Sequence, residues 1–351
     1  MFRFHFSSTI FIALGAAFLF GASTPLAKQF VGNLSPVLLA GLLYLGSGIG
    51  LILVRFIRDR GWANPGLLRQ EWSWLLASIG FGGVLAPVLF MFGLIQATAA
   101  SASLLLNLEA VFTAVLAWVV FKENTDRRIV FGMLLIVIGG IVLSWSERGA
   151  VQQSGLSVLA IVGACLCWAI DNNVTRKVSA SDSLFIAGSK GLVAGVINTS
   201  LALIVGASMP MVSQTSMILL IGFLGYGISL VLFVLALRGL GTARTGAYFS
   251  TAPFIGALIA IVFFHETTSM LFWMAAVLMG GGVYLHLTEC HDHEHAHEAL
   301  FHGHSHVHDE HHQHEHDFSW DGQEPHDHPH RHQPLTHKHR HYPDVHHLHK
   351  H

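Results

Sequence analysis

The sequence predicts an all-α membrane protein: ten transmembrane helices arranged as two inverted five-helix repeats, followed by a disordered histidine-rich tail. Three observations point there. First, 52% of the 351 residues are hydrophobic and only 11% charged, with a mean hydropathy of +0.54. A soluble domain carries about 25% charged residues. Charge this sparse over such a length places most of the chain against lipid or packed helix. Second, the charge is unevenly placed: 12 of 21 acidic residues lie at or after Glu289, and 24 of 26 histidines at or after His286. Third, the hydrophobic part repeats itself. These features divide the chain into a first repeat (1–150), a second repeat (151–288) and a polar tail (289–351).

A bilayer core of about 30 Å needs about 20 apolar residues per helix. Ten segments qualify: 9–27, 35–54, 74–94, 97–121, 129–145, 156–175, 184–206, 216–237, 243–264 and 271–287. Gly, Pro, Asn or charge separates them, as at Gly32-Asn33, Lys122-Glu123-Asn124 and Arg176-Lys177. The first segment also resembles a secretory signal peptide, with Arg3 before the apolar run and small residues at Gly21-Ala22-Ser23. Its counterpart later in the chain argues that it is retained. Lysine and arginine set the orientation. With the N-terminus in the cytoplasm, the inner side holds Arg3, Arg55, Arg58, Arg60, Arg69, Lys122, Arg127, Arg128, Arg176, Lys177, Arg238 and Arg244, whereas the outer side holds Lys28 and Arg148. An even helix number then leaves the tail in the cytoplasm, beneath a bacterial inner membrane.

A shift of 143 residues lays 80–139 over 223–282 without a gap. Gly82 meets Gly225, Val88-Leu89-Phe90 meets Val231-Leu232-Phe233, and Phe121-x-Glu123-x-Thr125 meets Phe264-x-Glu266-x-Thr268. Ala40-Gly41, Leu45 and Gly48 meet Ala187-Gly188, Leu192 and Gly195 at a shift of 147, and Gly15-Ala16 meets Gly163-Ala164 at 148. Five helices per copy is an odd number, so the second copy enters the membrane from the opposite side. Inverted repeats build secondary transporters, whose two halves open either way about one midplane site.

The stretches Ala97–Glu123 (ATAASASLLLNLEAVFTAVLAWVVFKE) and Leu240–Glu266 (LGTARTGAYFSTAPFIGALIAIVFFHE) resemble the fourth- and ninth-helix signatures of the EamA-type drug/metabolite transporter superfamily. Ala164–Lys177 (ACLCWAIDNNVTRK) resembles the start of its second repeat. The resemblance spans about residues 9–287. It implies ten helices, inverted repeats, cytoplasmic termini, a central cavity and export of amino acids, other metabolites or drugs. The chain departs from the pattern at one place. The family often reads Glu-Pro in both copies, but here the first copy reads Glu109-Ala110 and the second Ala252-Pro253. The fourth helix is therefore expected to be less broken than the family pattern implies. The tail lies outside the general pattern and resembles those of a bacterial subgroup of EamA proteins.

An ionisable group within a membrane span is costly and needs a reason. Glu109, near the middle of the fourth helix, reads either as a cavity carboxylate for a cationic group or proton, or as a buried acid hydrogen-bonded to a neighbouring helix. Lys190 and Asp171 lie at similar depth on the seventh and sixth helices. They read either as a structural ion pair or as a site with Lys190 facing a substrate carboxylate. Asn172 and Asn173 either line the cavity or cap the sixth helix. Asn107 and Tyr248 complete the candidate cavity set, with packing the alternative role for Tyr248, as for Tyr44, Trp168 and Tyr226. Glu123 and Glu266, just past the fourth and ninth helices, are expected to cap or pair with loop groups. Gly46–Gly50, Gly80–Gly83 and Gly280–Gly282 read as close helix packing. Cys165, Cys167 and Cys290 build no disulfide framework.

No Walker loop, nucleophile elbow or dinucleotide fingerprint occurs, so no enzyme activity or required cofactor is expected. The net charge of −2 predicts no nucleic-acid partner. The expected partners are the lipid bilayer, a small-molecule substrate and divalent metal ions, with the chain a monomer or homodimer. The tail alternates histidine with other residues, many of them acidic, and such a segment is expected to be disordered alone. Neutral imidazole favours Zn, Ni, Co and Cu, and the first candidate ligands are His291, His293, His295, His297, His302, His304, His306, His308, His311, His312, His314 and His316. Histidines interspersed over some sixty residues argue against an expression tag. Three functions are therefore weighed: export of a metabolite or drug with a metal-binding tail, export of a divalent transition metal captured by the tail, and a non-transporting membrane sensor.

Overall fold

The computed structural model describes residues 4–62, 64–67, 69–121, 127–146, 155–175, 178, 181–240, 245 and 248–288, and in the tail 291–297, 301–306, 326–331 and 335–341. Contacts separate a unit of Met1–Glu289 with Asp344–His351, which holds the helical body, from a tail unit, Cys290–Pro343. In the body, α1 is Phe4–Lys28, α2 Pro36–Asp59, α3 Trp72–Leu94, α4 Ala99–Val120, α5 Arg127–Ser146, α6 Gly155–Thr175 and α7 Ser183–Ile204. Next, α8 joins Val212–Gly222 to Ser229–Leu240, α9 is Ala252–Phe264 and α10 Met270–Leu287.

Eight of these helices, α1 to α8, are long and apolar enough to cross a membrane. The last two are apolar but shorter, and α9 at 13 residues spans only about 20 Å at 1.5 Å per residue. Within the expected ninth helix, 243–264, residues 245, 248 and 249 are helical, Ser250-Thr251 form a turn, and the helix runs on from Ala252 to Phe264. Pro253 occupies its first turn, where a missing N–H costs nothing. Aliphatic side chains such as Val193, Val196, Ile197, Leu201 and Ile204 lie exposed along α7, an arrangement suited to hydrocarbon rather than water.

Helix pairing follows the repeat. The most extensive partners are α2 with α7 and α5 with α10; α3 packs on α6, α8 on α1, α4 on both α6 and α9, and α9 on α1. Exchanging each helix for the one five places along leaves this pattern unchanged. Glycine lets the central pair approach. A Cβ on Gly48 would collide with the backbone of Leu192 and Gly191, and one on Gly195 with the backbone of Leu45. Gly46 and Gly222 meet the backbone of Leu219 and Leu43 in the same way. The packing expected of Gly46–Gly50 is present. In the Gly280–Gly282 run only Gly282 is tight, against the carbonyl of Gly132.

Two features of the helices are not those expected. Both α3 and α8 contain a π-helical turn, Ile79–Leu85 and Phe223–Ile228, at places that the 143-residue shift superimposes. Moreover α4 is interrupted at Leu106, between Ala99–Leu105 and Asn107–Phe121, although no proline follows Glu109. The reason is Asn107, whose Nδ2 donates to the Leu104 carbonyl at 2.9 Å and competes with the backbone ladder. In α9 the equivalent break falls at Ser250-Thr251, where Pro253 does the interrupting. The fourth helix is thus broken like the ninth, by a different residue.

At the arginine-bearing end of α2, Arg55 and Arg58 close onto the loop before α7. The Arg55 Nε donates to Asp182 Oδ2 at 2.8 Å and Arg58 Nη2 to the same oxygen at 2.6 Å. Asp182 Oδ1 also accepts from the Leu184 N–H at 3.0 Å, capping α7. The Arg55 guanidinium lies 5.3 Å over the Phe185 ring, and the residue is 3% exposed. Burial alone would raise the Asp182 carboxyl, but hydrogen bonds from Arg58 and Arg55 outweigh it and hold the group below the usual carboxylate range. A carboxylate depressed on folding contributes stability that is complete above its unfolded value of about 3.9 and lost as pH falls through its folded value. The wild-type midpoint of unfolding in detergent should therefore fall below about pH 4. Asp182→Ala should lower stability by about 3 kcal/mol, with ~1 from the cap and the rest from a buried guanidinium that loses its closest carboxylate. A melt that does not respond to the substitution would show the cluster to be ornamental.

The tail differs from the disorder expected of it. Among the described residues, β1 (His291–His297) pairs antiparallel with β4 (Leu335–His341), and β2 (Phe301–His306) with β3 (His326–Arg331). The physical reason lies in the same alternation that marks the tail as histidine-rich: a period of two is the period of a strand. His308, His311, His312, His314 and His316, like Cys290, lie outside the described residues.

Candidate functional site

The break in α4 sets the site. Because the helix restarts at Asn107, Glu109 falls in the first turn of the second half, where helical N–H groups favour negative charge. Glu109 is half-buried, and its Oε1 accepts a hydrogen bond from Asn172 Nδ2 of α6 at 2.8 Å. Asn172 also reaches Thr113 Oγ1 at 3.4 Å and is exposed. Asn173, beside it, is buried and donates to the carbonyls of Ala169 at 2.9 Å and Thr113 at 3.3 Å. Of the two asparagines weighed as caps, one thus holds the glutamate and the other holds α6 to α4.

Lys190 of α7 and Asp171 of α6 form an ion pair through Nζ and Oδ2. Asp171 also accepts at Oδ1 from Ser78 Oγ at 2.5 Å and from Thr175 Oγ1 at 2.9 Å. The side chains are 14% and 6% exposed, so the pair is neutral, hydrogen-bonded and largely enclosed, the condition under which buried charge is tolerated. Of the two readings of these residues, the geometry takes the pair. Among the described residues the ion pairs involve Lys190 with Asp171 and Arg55 or Arg58 with Asp59 or Asp182, and none involves Glu109. For Lys190→Gln and Asp171→Asn, each single change strands a buried charge. The double variant should therefore lose about 3 kcal/mol less than the sum of the singles. Additive losses would dissolve the pair.

The π turn of α3 adds a feature the sequence did not disclose. A π turn frees carbonyls from the α-helical ladder, and here side chains fill them. Gly82 O accepts from Tyr44 OH at 2.8 Å and from Trp168 Nε1 at 3.2 Å, and Val84 O accepts from Asn198 Nδ2 at 3.3 Å. These bonds hold α2, α6 and α7 around α3 and fix the aromatic rings. Tyr44 lies 5.5 Å from Tyr226, which meets Phe20 edge-on at 5.9 Å, and Phe20 lies 5.3 Å from Phe249. Tyr226, on the π turn of α8, therefore joins the chain of rings, while Tyr248 packs with Ala13 of α1 and Ala236 of α8. Asn107 is buried on the Leu104 carbonyl, 4.0 Å from Met279 Sδ. The only sequence signals for the π turns were Gly80–Gly83 and Gly225 and Gly227, which read equally well as packing glycines.

Glu266 does cap, but in the other half of the chain. Its two carboxylate oxygens accept from the N–H groups of Ala99 at 2.9 Å and Ala100 at 2.8 Å, the first turn of α4. Thr98 Oγ1 accepts from Ser101 N beside it. Glu123, its counterpart under the shift, lies outside the described residues. Cys165 and Cys167 are free thiols, and the Cys165 thiol rests against the Leu105 carbonyl at 3.7 Å. Among the described side chains no group of three or more His, Cys, Asp or Glu is placed to hold a metal ion. His286 belongs to the body, its Nε2 3.1 Å from the Ile129 carbonyl of α5.

A broken membrane helix carrying a polar residue at the break, packed beside its pseudo-equivalent, is the architecture of a transporter. The profile of the EamA-like transporter family matches residues 7–145 and again 155–288, and the chain belongs to that family. It is 26% identical over 285 residues to an uncharacterized transporter of Methanothermobacter thermautotrophicus, covering 77% of this chain and 83% of the relative. It is likewise 26% identical over 295 residues to a probable amino-acid metabolite efflux pump of Salmonella typhimurium, covering 79% and 94%. One solved crystal structure superimposes with a TM-score of 0.61 at 20% identity, covering 79% of this chain and 95% of the other, a likeness of fold.

Proposed function

We propose that this membrane transporter of the EamA type is a secondary exporter of a small metabolite or drug-like compound bearing a cationic amine, working by alternating access. Both termini lie in the cytoplasm, α9 and α10 complete a ten-helix inverted-repeat body, and the tail binds divalent transition metals. The observation that carries the substrate reading is the contrast between two acids. Asp171 is neutralised by Lys190, whereas Glu109 sits at the helix break with an amide as its hydrogen-bond partner and no cation in ion-pair range among the described residues. An approaching ammonium group would complete that site, and the rings of Tyr44, Tyr226 and Phe20 offer apolar and cation–π surface. The Salmonella relative supports the exporting direction. Metal export is favoured less, because the described side chains of the body supply no metal-ligand cluster.

The test is an untargeted comparison of metabolites and metals inside and outside cells with and without the protein, followed by uptake of each hit into everted vesicles. Amine-bearing compounds should be depleted from producing cells and should accumulate in the vesicles. If the only species moved is a metal ion or an anion without an amine, the Glu109 reading fails.

A further inference from the structure

The strand register of the tail orders its histidines. In the β1–β4 ladder the Cα partners are His291 with His341, His293 with His339 and His295 with His337. The positions between them pair Asp292 with Arg340 and Glu294 with Lys338. Successive strand residues occupy opposite faces, so one face of this ladder is three histidine pairs and the other is two acid–base pairs. The second ladder repeats the histidine face: His302 with His330, His304 with His328 and His306 with His326. A slip by one residue in either ladder would break every histidine pair and exchange the faces. In the first ladder, two chemically unrelated rules, like with like on one face and opposite charge on the other, select the same register.

From this juxtaposition we infer that the tail holds divalent transition-metal ions at two built sites, one per ladder, each formed by adjacent cross-strand histidine pairs rather than by histidine content alone. The inference rests on the metal-binding reading of the tail given above and assigns its ligands. Directly opposite residues have Cβ atoms about 4.5–5.5 Å apart. The next pair on the same face follows at about 7 Å along the strand. Two such pairs bring four histidine positions together on one face, and four is the donor number a tetrahedral Zn²⁺ takes. Metal binding then joins segments that are distant in sequence, His295 with His337 in the first ladder and His304 with His328 in the second, so the ion and the ladder stabilise each other. The opposite face, where Asp292 is set against Arg340 and Glu294 against Lys338, favours the same register.

The experiment is a composition-neutral exchange in the full chain, purified in detergent and titrated with Zn²⁺ and with Ni²⁺ alone. The variant H337K/K338H/H339R/R340H keeps every residue type and count but moves two histidines of β4 to the other face. It should remove one of two tight sites. Adding D292H/H293D/E294H/H295E restores two histidine pairs and both acid–base pairs on the exchanged faces, and should restore the site. If the first variant binds like the wild type, the tail chelates by composition and the ladder sites are wrong, while the metal-binding reading stands. If the second set of changes fails to restore binding, the register is likewise overturned. If the wild-type chain itself binds neither metal, the underlying reading fails with it.

Discussion

Glu109→Gln is expected to reduce transport by roughly ten- to a hundredfold while leaving the protein folded. Glutamine has the size of glutamate, and its carbonyl can still accept from Asn172 Nδ2, so the link from α4 to α6 survives. What is lost is the charge. A hydrogen bond to an ionised partner contributes about 1.5–3 kcal/mol, and each 1.4 kcal/mol is a factor of ten in affinity. The readout is initial uptake in everted vesicles, paired with a thermal melt of the purified variant. Equal transport by wild type and variant would leave Glu109 as a fastening between α4 and α6. Loss of both transport and the melt would point to folding, which is why Glu109→Asp belongs beside it: aspartate keeps the charge and should retain partial activity.

Removing everything after Glu289 should separate the two halves of the proposed function. The last helix ends at Leu287, and described contacts of the helices such as Arg128 Nη1 to the Thr288 carbonyl lie before the cut. The truncated chain should insert, melt near the wild-type temperature and move its substrate, but lose nearly all binding of Zn²⁺ or Ni²⁺. In the full chain, metal competes with protons for imidazole, whose unperturbed pKa is about 6.5. Binding should therefore weaken as pH falls through that region and strengthen above it. Metal binding that survives truncation would move the ligands into the body. Transport that disappears with the tail, when the transported species is itself a metal, would favour metal export over metabolite export.

Much of the membrane body was legible because bilayer thickness and the cost of buried charge act on sequence directly. Segment lengths located α1 to α8, and the rarity of intramembrane ions singled out Glu109, Lys190 and Asp171. Depth along two helices brought Lys190 and Asp171 within reach but could not decide between a pair and a substrate contact, because that depends on which way two helices face. The break in α4 was missed for a related reason. Proline announces itself in sequence, whereas Asn107 interrupts a helix only when its side chain turns back on Leu104. Glu266 could be read as a cap, but not as the cap of Ala99 and Ala100 in the other repeat, since a cross-repeat contact has no local signature. In the tail, composition argues for disorder, whereas the period of two in the histidine alternation fits the strands that the described residues form.

The glycine seam between α2 and α7 has a consequence for the order of assembly. Gly48 touches Gly191, a residue synthesised 143 positions later. At about 5–20 residues per second, α2 waits roughly 7 to 30 seconds in the bilayer before its main partner emerges. A glycine face suits that delay, because lipid can cover it without stranding a charge. Arg55 at the end of the same helix has Asp59 one turn along at 3.7 Å, but its closer carboxylate, Asp182 at 2.8 Å, arrives only with the loop before α7. The seam and the Arg55–Asp182 contact therefore close together and late, and a nascent chain stalled before residue 182 should hold α2 inserted, with the end that carries Arg55 still open to water.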